Sequence, residues 1–173
     1  MLSTIATDAD AEAIADLVNA AYRGSGGRQG WTHEAELLSG PRVTPSDVAA
    51  MLDDTRTTIL VWRPEPSSAP GGCVAIDMDD DDHCAISMLA VAPERQTANV
   101  GRAMLADAER VAARLGATVA RITVVEQRDA LLAWYERRGY RRTGQIEAFP
   151  YGDNSVGTPL RDDLQFVVLT KSL

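Results

Sequence analysis

The chain has 173 residues, of which 45% are hydrophobic and 24% charged, a net charge of −8 and one lysine, Lys171. That size and balance are those of a soluble globular protein, expected as a single domain over residues 1–173 with a sizeable core. The negative charge gives no basic footprint for nucleic acid or anionic lipid, so neither is expected as a partner, and it favours a cationic acceptor such as an amine. The longest apolar run, near residues 84–92, is far too short to cross a bilayer. No basic region followed by an apolar core opens the sequence, so the expectation is a cytoplasmic protein without a signal peptide.

Residues 2–6 read as a short strand. Asp8 is a candidate N-cap for a helix whose apolar face is Ile14, Leu17, Val18 and Ala21, and which Tyr22 ends. A glycine-rich loop follows over residues 24–30, then the segment 31–39. Thr44, Pro45 and Asp47 give a helix start, with a capping hydroxyl, proline at the first position and an acid in the first turn. Val48, Met51 and Leu52 face inward. Residues 57–62 are β-branched and read as a strand, 64–72 as a turn, and 73–78 as the returning strand. The four acids 79–82 fit a solvated hairpin tip better than a metal site.

Residues 84–91 form an apolar strand that Pro93 stops, because proline donates no ladder hydrogen bond. From Val100 the apolar positions fall at 100, 104, 108, 111, 112 and 115, which is helical spacing, and Gly116 supplies the stop. Residues 118–125 are another strand. Asp129 can cap a helix over 130–138 that carries Leu131, Leu132, Trp134 and Tyr135 and ends at Gly139. Strands at 140–148 and 164–169 close the chain, separated by a loop, 149–163, of a length that is often functional. No repeat or linker divides it. The order implies an α/β (α+β) protein, with a mixed sheet covered by helices and parallel pairing around the third helix. Cys73 and Cys84 read as buried thiols in strands, and His33 and His83 share no ligand spacing with them, so no metal is expected.

The turn 96–101 feeds directly into a helix. N–H groups at a helix start have no intrahelical partners, and the dipole adds partial positive charge there. Thr97, Ala98, Asn99 and Gly101 are small, and Asn99 tolerates a left-handed conformation. Such a turn suits a phosphate or pyrophosphate; the alternative is an ordinary strand–helix connection.

Val91, Pro93, Gln96, Asn99 and Gly101 resemble the V-x-P-x-x-[Q/R]-x-x-G-x-[G/A] stretch of the GNAT superfamily of N-acetyltransferases, with Asn99 in place of the first glycine. Residues 132–140, Leu-Ala-Trp-Tyr-Glu-Arg-Arg-Gly-Tyr, resemble the [L/W]-Y-E-x-x-G-[F/Y] end of its fourth helix. The two motifs lie in the family's order. The resemblance implies the acyl-CoA N-acyltransferase fold, a mostly antiparallel sheet of six to seven strands flanked by about four helices. It also implies acetyl-CoA as cosubstrate, its pyrophosphate held by Gln96, Thr97, Ala98, Asn99, Val100, Gly101, Arg102 and Ala103. The pantetheine would pair with the strand edge at Leu89, Ala90 and Val91, and a backbone N–H of Leu89 or Ala90 would face the oxyanion.

Tyr135 matches the family tyrosine that protonates the leaving thiolate. Arg128 stands where many members place an asparagine that touches the pantetheine arm. For the base that removes a proton from the amine, the candidates are Glu34, Glu126 and Asp77, each of which is otherwise a solvent-facing charge. Tyr22, Arg28, Trp31, Glu34 and Tyr151 are the candidates for acceptor recognition, since aromatic and acidic groups together suit an amine; Trp31 reads equally well as a core anchor. A small-molecule amine is the expected acceptor, with a protein N-terminus or lysine, a CoA-binding module without turnover and an unrelated nucleotide-binding module as alternatives. A homodimer is the oligomer the resemblance implies.

Overall fold

The computed structural model describes residues 3–24, 30–31, 33–79, 82–153 and 157–173. Its elements run β1 (Thr4–Ile5), α1 (Ala11–Arg23), β2 (Leu38–Ser39), α2 (Pro45–Asp53), β3 (Thr57–Trp62), β4 (Gly72–Met78), β5 (His83–Val91), α3 (Val100–Leu115), β6 (Val119–Val125), α4 (Asp129–Glu136), β7 (Arg141–Ala148), β8 (Thr158–Pro159) and β9 (Gln165–Ser172). Short 3-10 turns, Asp8–Asp10 and Pro93–Ala98, lead into α1 and α3.

Strand β4 is buried from Gly72 to Ile76 without alternation, which requires cover on both faces. Side chains of period two supply two cores. Ile59, Val61, Cys73 and Ala75 face α1 and α2, where Ile14, Val18 and Val48 meet them. Leu60, Val74 and Ile76 face the other way, against Val100, Met104 and Leu105 of α3 and Leu132 of α4. The main sheet has seven strands in the order β1-β3-β4-β5-β6-β9-β7. Every neighbouring pair is antiparallel except β5 and β6, the crossover through α3. The mixed, mostly antiparallel sheet with four α-helices is the architecture the sequence implied. Among the described residues no helix is long and apolar enough to cross a membrane.

Several local details differ from the sequence reading. Asp8 does not cap α1: Thr7 precedes the 3-10 turn, and its N–H donates to Asp10 at 3.0 Å. Arg128, not Asp129, stands at the N-cap of α4. Residues 149–163 are not wholly irregular, because β8 pairs with β2 in a second, two-stranded sheet. Strands of two residues carry no readable periodicity. The capping of α2 is as expected, with Thr44 Oγ1 accepting from the Asp47 N–H at 3.2 Å and Asp47 accepting from the Thr44 N–H at 2.7 Å. Parts of five segments read from the sequence lie outside the described residues: Leu2, residues 25–29 of the glycine-rich loop, Thr32 of the segment 31–39, residues 80–81 of the acidic run, and residues 154–156 of the late loop.

Candidate active site

Parallel pairing of β5 with β6 covers only His83–Ala85 against Val119–Arg121. Beyond that point the strands part. The cause lies on the other side of β5. Between the pairs Cys73↔Ala90 and Ala75↔Ser87, β5 carries one residue more than β4, a β-bulge. Met88 in the bulge is left-handed, φ 48°, a conformation costly for a side chain of its size and held only where the surroundings enforce it. Two donors do so, one on the buried Cys73 and one on the half-buried Tyr22. Cys73 Sγ donates to the Met88 carbonyl at 3.5 Å, and the Tyr22 hydroxyl donates to the Leu89 carbonyl at 3.3 Å. Burial pushes both groups up to about 12, so each keeps its proton and remains a donor. The two cysteines are free and buried.

Two cavities meet at the parting of the strands. The first is a narrow cleft of about 80 Å³. It runs from the start of α3, at Asn99, Gly101 and Arg102, past Leu89, Val91 and Gln96 to Trp134 and Tyr135. The second, about 280 Å³, lies on the α1 side and is walled by Leu38, Arg42, Ile86, Met88, Ile122 and Phe166 among others. Tyr22, Leu89, Leu131 and Tyr135 line both.

Asn99 is left-handed, φ 58° and ψ 13°, and α3 begins at the next residue. The first helical bond is Ala103 N–H to Asn99 O at 3.1 Å, so the N–H groups ahead of it have no helical acceptor. A Cβ built on Gly101 would come no closer than 3.5 Å to Val91 and 3.9 Å to Trp134. The protein's own packing therefore does not demand glycine there. Open amides, a helix dipole and a bare backbone fit a diphosphate, and the chemistry of these donors suits that end of CoA.

Tyr135 is 6% exposed and, among the described residues, its phenol makes no hydrogen bond. Burial, reinforced by the Tyr22 phenol, holds it well above the ordinary phenol range, while Arg128 and Arg138 act the other way. Its ring is fixed edge-on between Trp134 at 4.9 Å and Tyr140 at 5.6 Å. Trp31 leans on Trp134 at 6.0 Å, and the Arg138 guanidinium lies 3.4 Å over the Trp134 ring. Trp31 is 45% exposed, so it is a wall of the cleft rather than a core anchor.

Glu34 is not a solvent-facing charge. It is 8% exposed, and its carboxylate accepts from Arg128 Nη1 at 2.6 Å and Arg23 Nη1 at 3.0 Å. Its own N–H donates to the Tyr22 carbonyl at 2.7 Å, tying the segment to the end of α1. Gly157, at φ +99°, lets Arg23 into this network, because a Cβ there would fall 2.7 Å from Arg23 Nη2. The side chain of Gln96 likewise turns inward, accepting from Trp31 N–H at 2.9 Å and donating to the Val91 carbonyl at 3.1 Å.

The remaining candidates divide. Ala90 and Val100 are 1% exposed and face the cores, and Ala103 does not line the cleft. Thr97 and Ala98 contribute backbone to the 3-10 turn ahead of α3. Glu126 is exposed, accepts from Gln165 Nε2 at 2.7 Å and lines neither cavity. Asp77 pairs with Ala85, before the strands part. The Tyr151 ring packs on Phe149 at 5.1 Å, and its hydroxyl accepts from Leu164 N–H at 2.7 Å, which holds the late loop to β9 rather than facing the cavity. Arg28 lies outside the described residues. Sequence reasoning missed Leu131, Trp134 and Arg138 as cleft residues. Their spacing with Tyr135 puts all four on one helical face, a signal that was present. It also missed Arg42, Met88 and Glu147 in the second cavity, for which no local signal exists.

A mostly antiparallel sheet that opens at its one parallel pair, with a helix start aimed into the opening, is the architecture of acyl-CoA N-acyltransferases. The chain belongs to the acetyltransferase (GNAT) family, whose model matches residues 12–140, and it is an acyl-CoA N-acetyltransferase. Solved structures agree on the fold. A ribosomal-protein-alanine N-acetyltransferase from Brucella melitensis superposes with TM-score 0.71 at 19% identity, covering 100% of both chains. A nourseothricin acetyltransferase gives 0.67 at 19% identity, over 99% of this chain and 97% of its own. An IAA acetyltransferase from Bacillus cereus gives 0.59 at 17% identity, over 75% and 85%. No curated protein matches by sequence.

Proposed function

We propose that the protein, acting as one domain over residues 1–173, moves the acetyl group of acetyl-CoA to the primary amine of a small molecule. The observation that carries this is the position of Tyr135, a protonated phenol at the junction of the cleft and the second cavity. On this reading the start of α3 takes the diphosphate, and Asn99, Gly101 and Arg102 line its approach. Arg128 stays with Glu34, so it shapes the cleft wall in place of an amide contact to the pantetheine. A second cavity of about 280 Å³ suits a small amine better than a peptide.

The chemistry then balances within the site. The neutral amine forms its bond to the thioester carbonyl carbon, the carbon–sulfur bond breaks, and Tyr135 gives its proton to the departing sulfur. The extra proton on the new amide nitrogen returns to the phenolate through water. A backbone N–H of Leu89 or Ala90 at the bulge is the donor for the carbonyl oxygen. Glu34, with both oxygens engaged by guanidinium groups, is poorly suited to be a base, and Glu126 lies outside both cavities.

The test is Tyr135→Phe, read by free-thiol release from acetyl-CoA over an amine panel and by thermal shift with CoA, ATP and NAD. CoA should stabilise both proteins, and the variant should lose roughly 10²- to 10⁴-fold in kcat. Stabilisation by ATP or NAD but not by CoA would overturn the assignment of the cleft. Unchanged turnover in the variant would remove Tyr135 from the mechanism.

A further inference from the structure

Three ionised side chains line the second cavity, Glu34, Arg42 and Glu147. Two are already compensated. Glu34 is shared by Arg23 and Arg128, and Glu147 is bonded to Arg121. Arg42 differs. Among the described residues its guanidinium has no hydrogen-bond or ion-pair partner, although the side chain is partly buried. A half-buried guanidinium without a counter-charge is costly unless something else supplies one.

Its placement is built. Asn19, on α1, accepts from the Arg42 N–H at 2.6 Å and the Val43 N–H at 3.3 Å, and donates to the Val43 carbonyl at 2.9 Å. The buried Val43 next to it fixes the backbone from below. Arg42 is thus carried on a stapled segment, with its charge felt at the Tyr22 phenol. Tyr22 in turn bonds to the Leu89 carbonyl, and both line this cavity together with Tyr135. Around this line much of the wall is apolar, from Leu38, Ile86, Met88, Ile122 and Phe166, with the hydroxyls of Ser87 and Thr123 between them.

We propose that Arg42 anchors an anionic group of the acceptor, so that the preferred substrate is an apolar amine that also carries a carboxylate, of the amino-acid type. A planar guanidinium takes a carboxylate bidentately, which fixes orientation as well as charge. With the carboxylate at Arg42 and the apolar part against the wall residues, the amine is directed toward Leu89 and Tyr135. The net charge of −8 attracts the ammonium end in solution, and Arg42, among the described residues the uncompensated cation of the cavity, sorts the acceptors that arrive.

This inference rests on the acetyltransferase reading, and matched pairs separate the two. Phenylalanine is compared with phenethylamine, and methionine with 3-(methylthio)propylamine. Acetyl-CoA-dependent thiol release gives kcat/KM, and calorimetry on the protein–CoA complex gives affinity without turnover. Wild type should favour the carboxylated member of each pair by tenfold or more in rate or affinity. In Arg42→Gln that ratio should fall to near one, with the thermal shift by CoA kept as the control for folding. Equal values for both members in wild type, failure of the carboxylated members to bind the protein–CoA complex, or a ratio unchanged by Arg42→Gln would each overturn the proposal. Failure of the protein to bind CoA at all would instead remove the reading beneath it.

Discussion

Glu34 joins three parts of the chain through one carboxylate: the segment it sits on, the end of α1 through Arg23, and the start of α4 through Arg128. All three side chains are at most 11% exposed, so solvent does little to replace a lost partner. Removing the acid leaves two buried guanidinium groups facing each other. Glu34→Ala is therefore expected to cost about 3–5 kcal/mol of unfolding free energy, measured by urea denaturation. Were Glu34 instead a base with little structural role, Glu34→Gln would abolish turnover while the urea midpoint stayed put. Tyr22 and Cys73 show the same economy at the bulge, each spending its one proton on a carbonyl of β5.

Among the elements, the start of α3 allows a sharp separation of folding from binding. Gly101 lies in the first turn of a 16-residue helix, where alanine is the better helix former by about 0.5–1 kcal/mol. The nearest atom to a new Cβ is 3.5 Å away, an ordinary contact. Gly101→Ala should accordingly raise or leave unchanged the melting temperature of the free protein while weakening CoA, because the methyl group stands in the approach to the amides. Tighter or equal CoA binding by calorimetry would show that the diphosphate does not lie against this backbone. The bulge in β5 is the other element-scale device: without its extra residue the parallel pairing could continue past Ala85, and the cleft would close into sheet.

For the whole molecule, burial of weakly acidic groups sets an alkaline limit. Cys73 is pushed from 9.0 up to about 12 and Cys84 from 9.0 to about 11, in each case first by burial, and Tyr22 from 10.0 to about 12 by burial and then by Glu34. In the unfolded chain these groups ionise near their ordinary values, whereas in the folded protein they stay neutral. Between about pH 9 and pH 11 the unfolded state thus holds fewer protons than the native one, and stability falls as pH rises. It is fully present below pH 9. Urea midpoints at pH 8, 9.5 and 11 should decline in that order; a flat series would mean that these groups ionise equally easily in the folded protein.

The strands of the main sheet, the helices, the cap of α2, the left-handed Asn99 and the helical face bearing Tyr135 were all legible in the sequence, because each depends on residues within about two turns of one another. The same locality explains why the family's two motifs can be recognised at all. What the sequence alone did not disclose was decided by contacts between distant segments. The Arg128–Glu34 bond spans 94 residues, Tyr22 reaches Leu89 across 67, and the bulge exists only as a mismatch between two strands. Gln96, which lines the cleft, and Tyr151 each also hold a loop, since a polar side chain in a turn finds its partner only after the chain has packed. Arg42 is one more arginine in the sequence; the folded cavity, where among the described residues Glu34 and Glu147 are matched by other arginines, is what sets it apart.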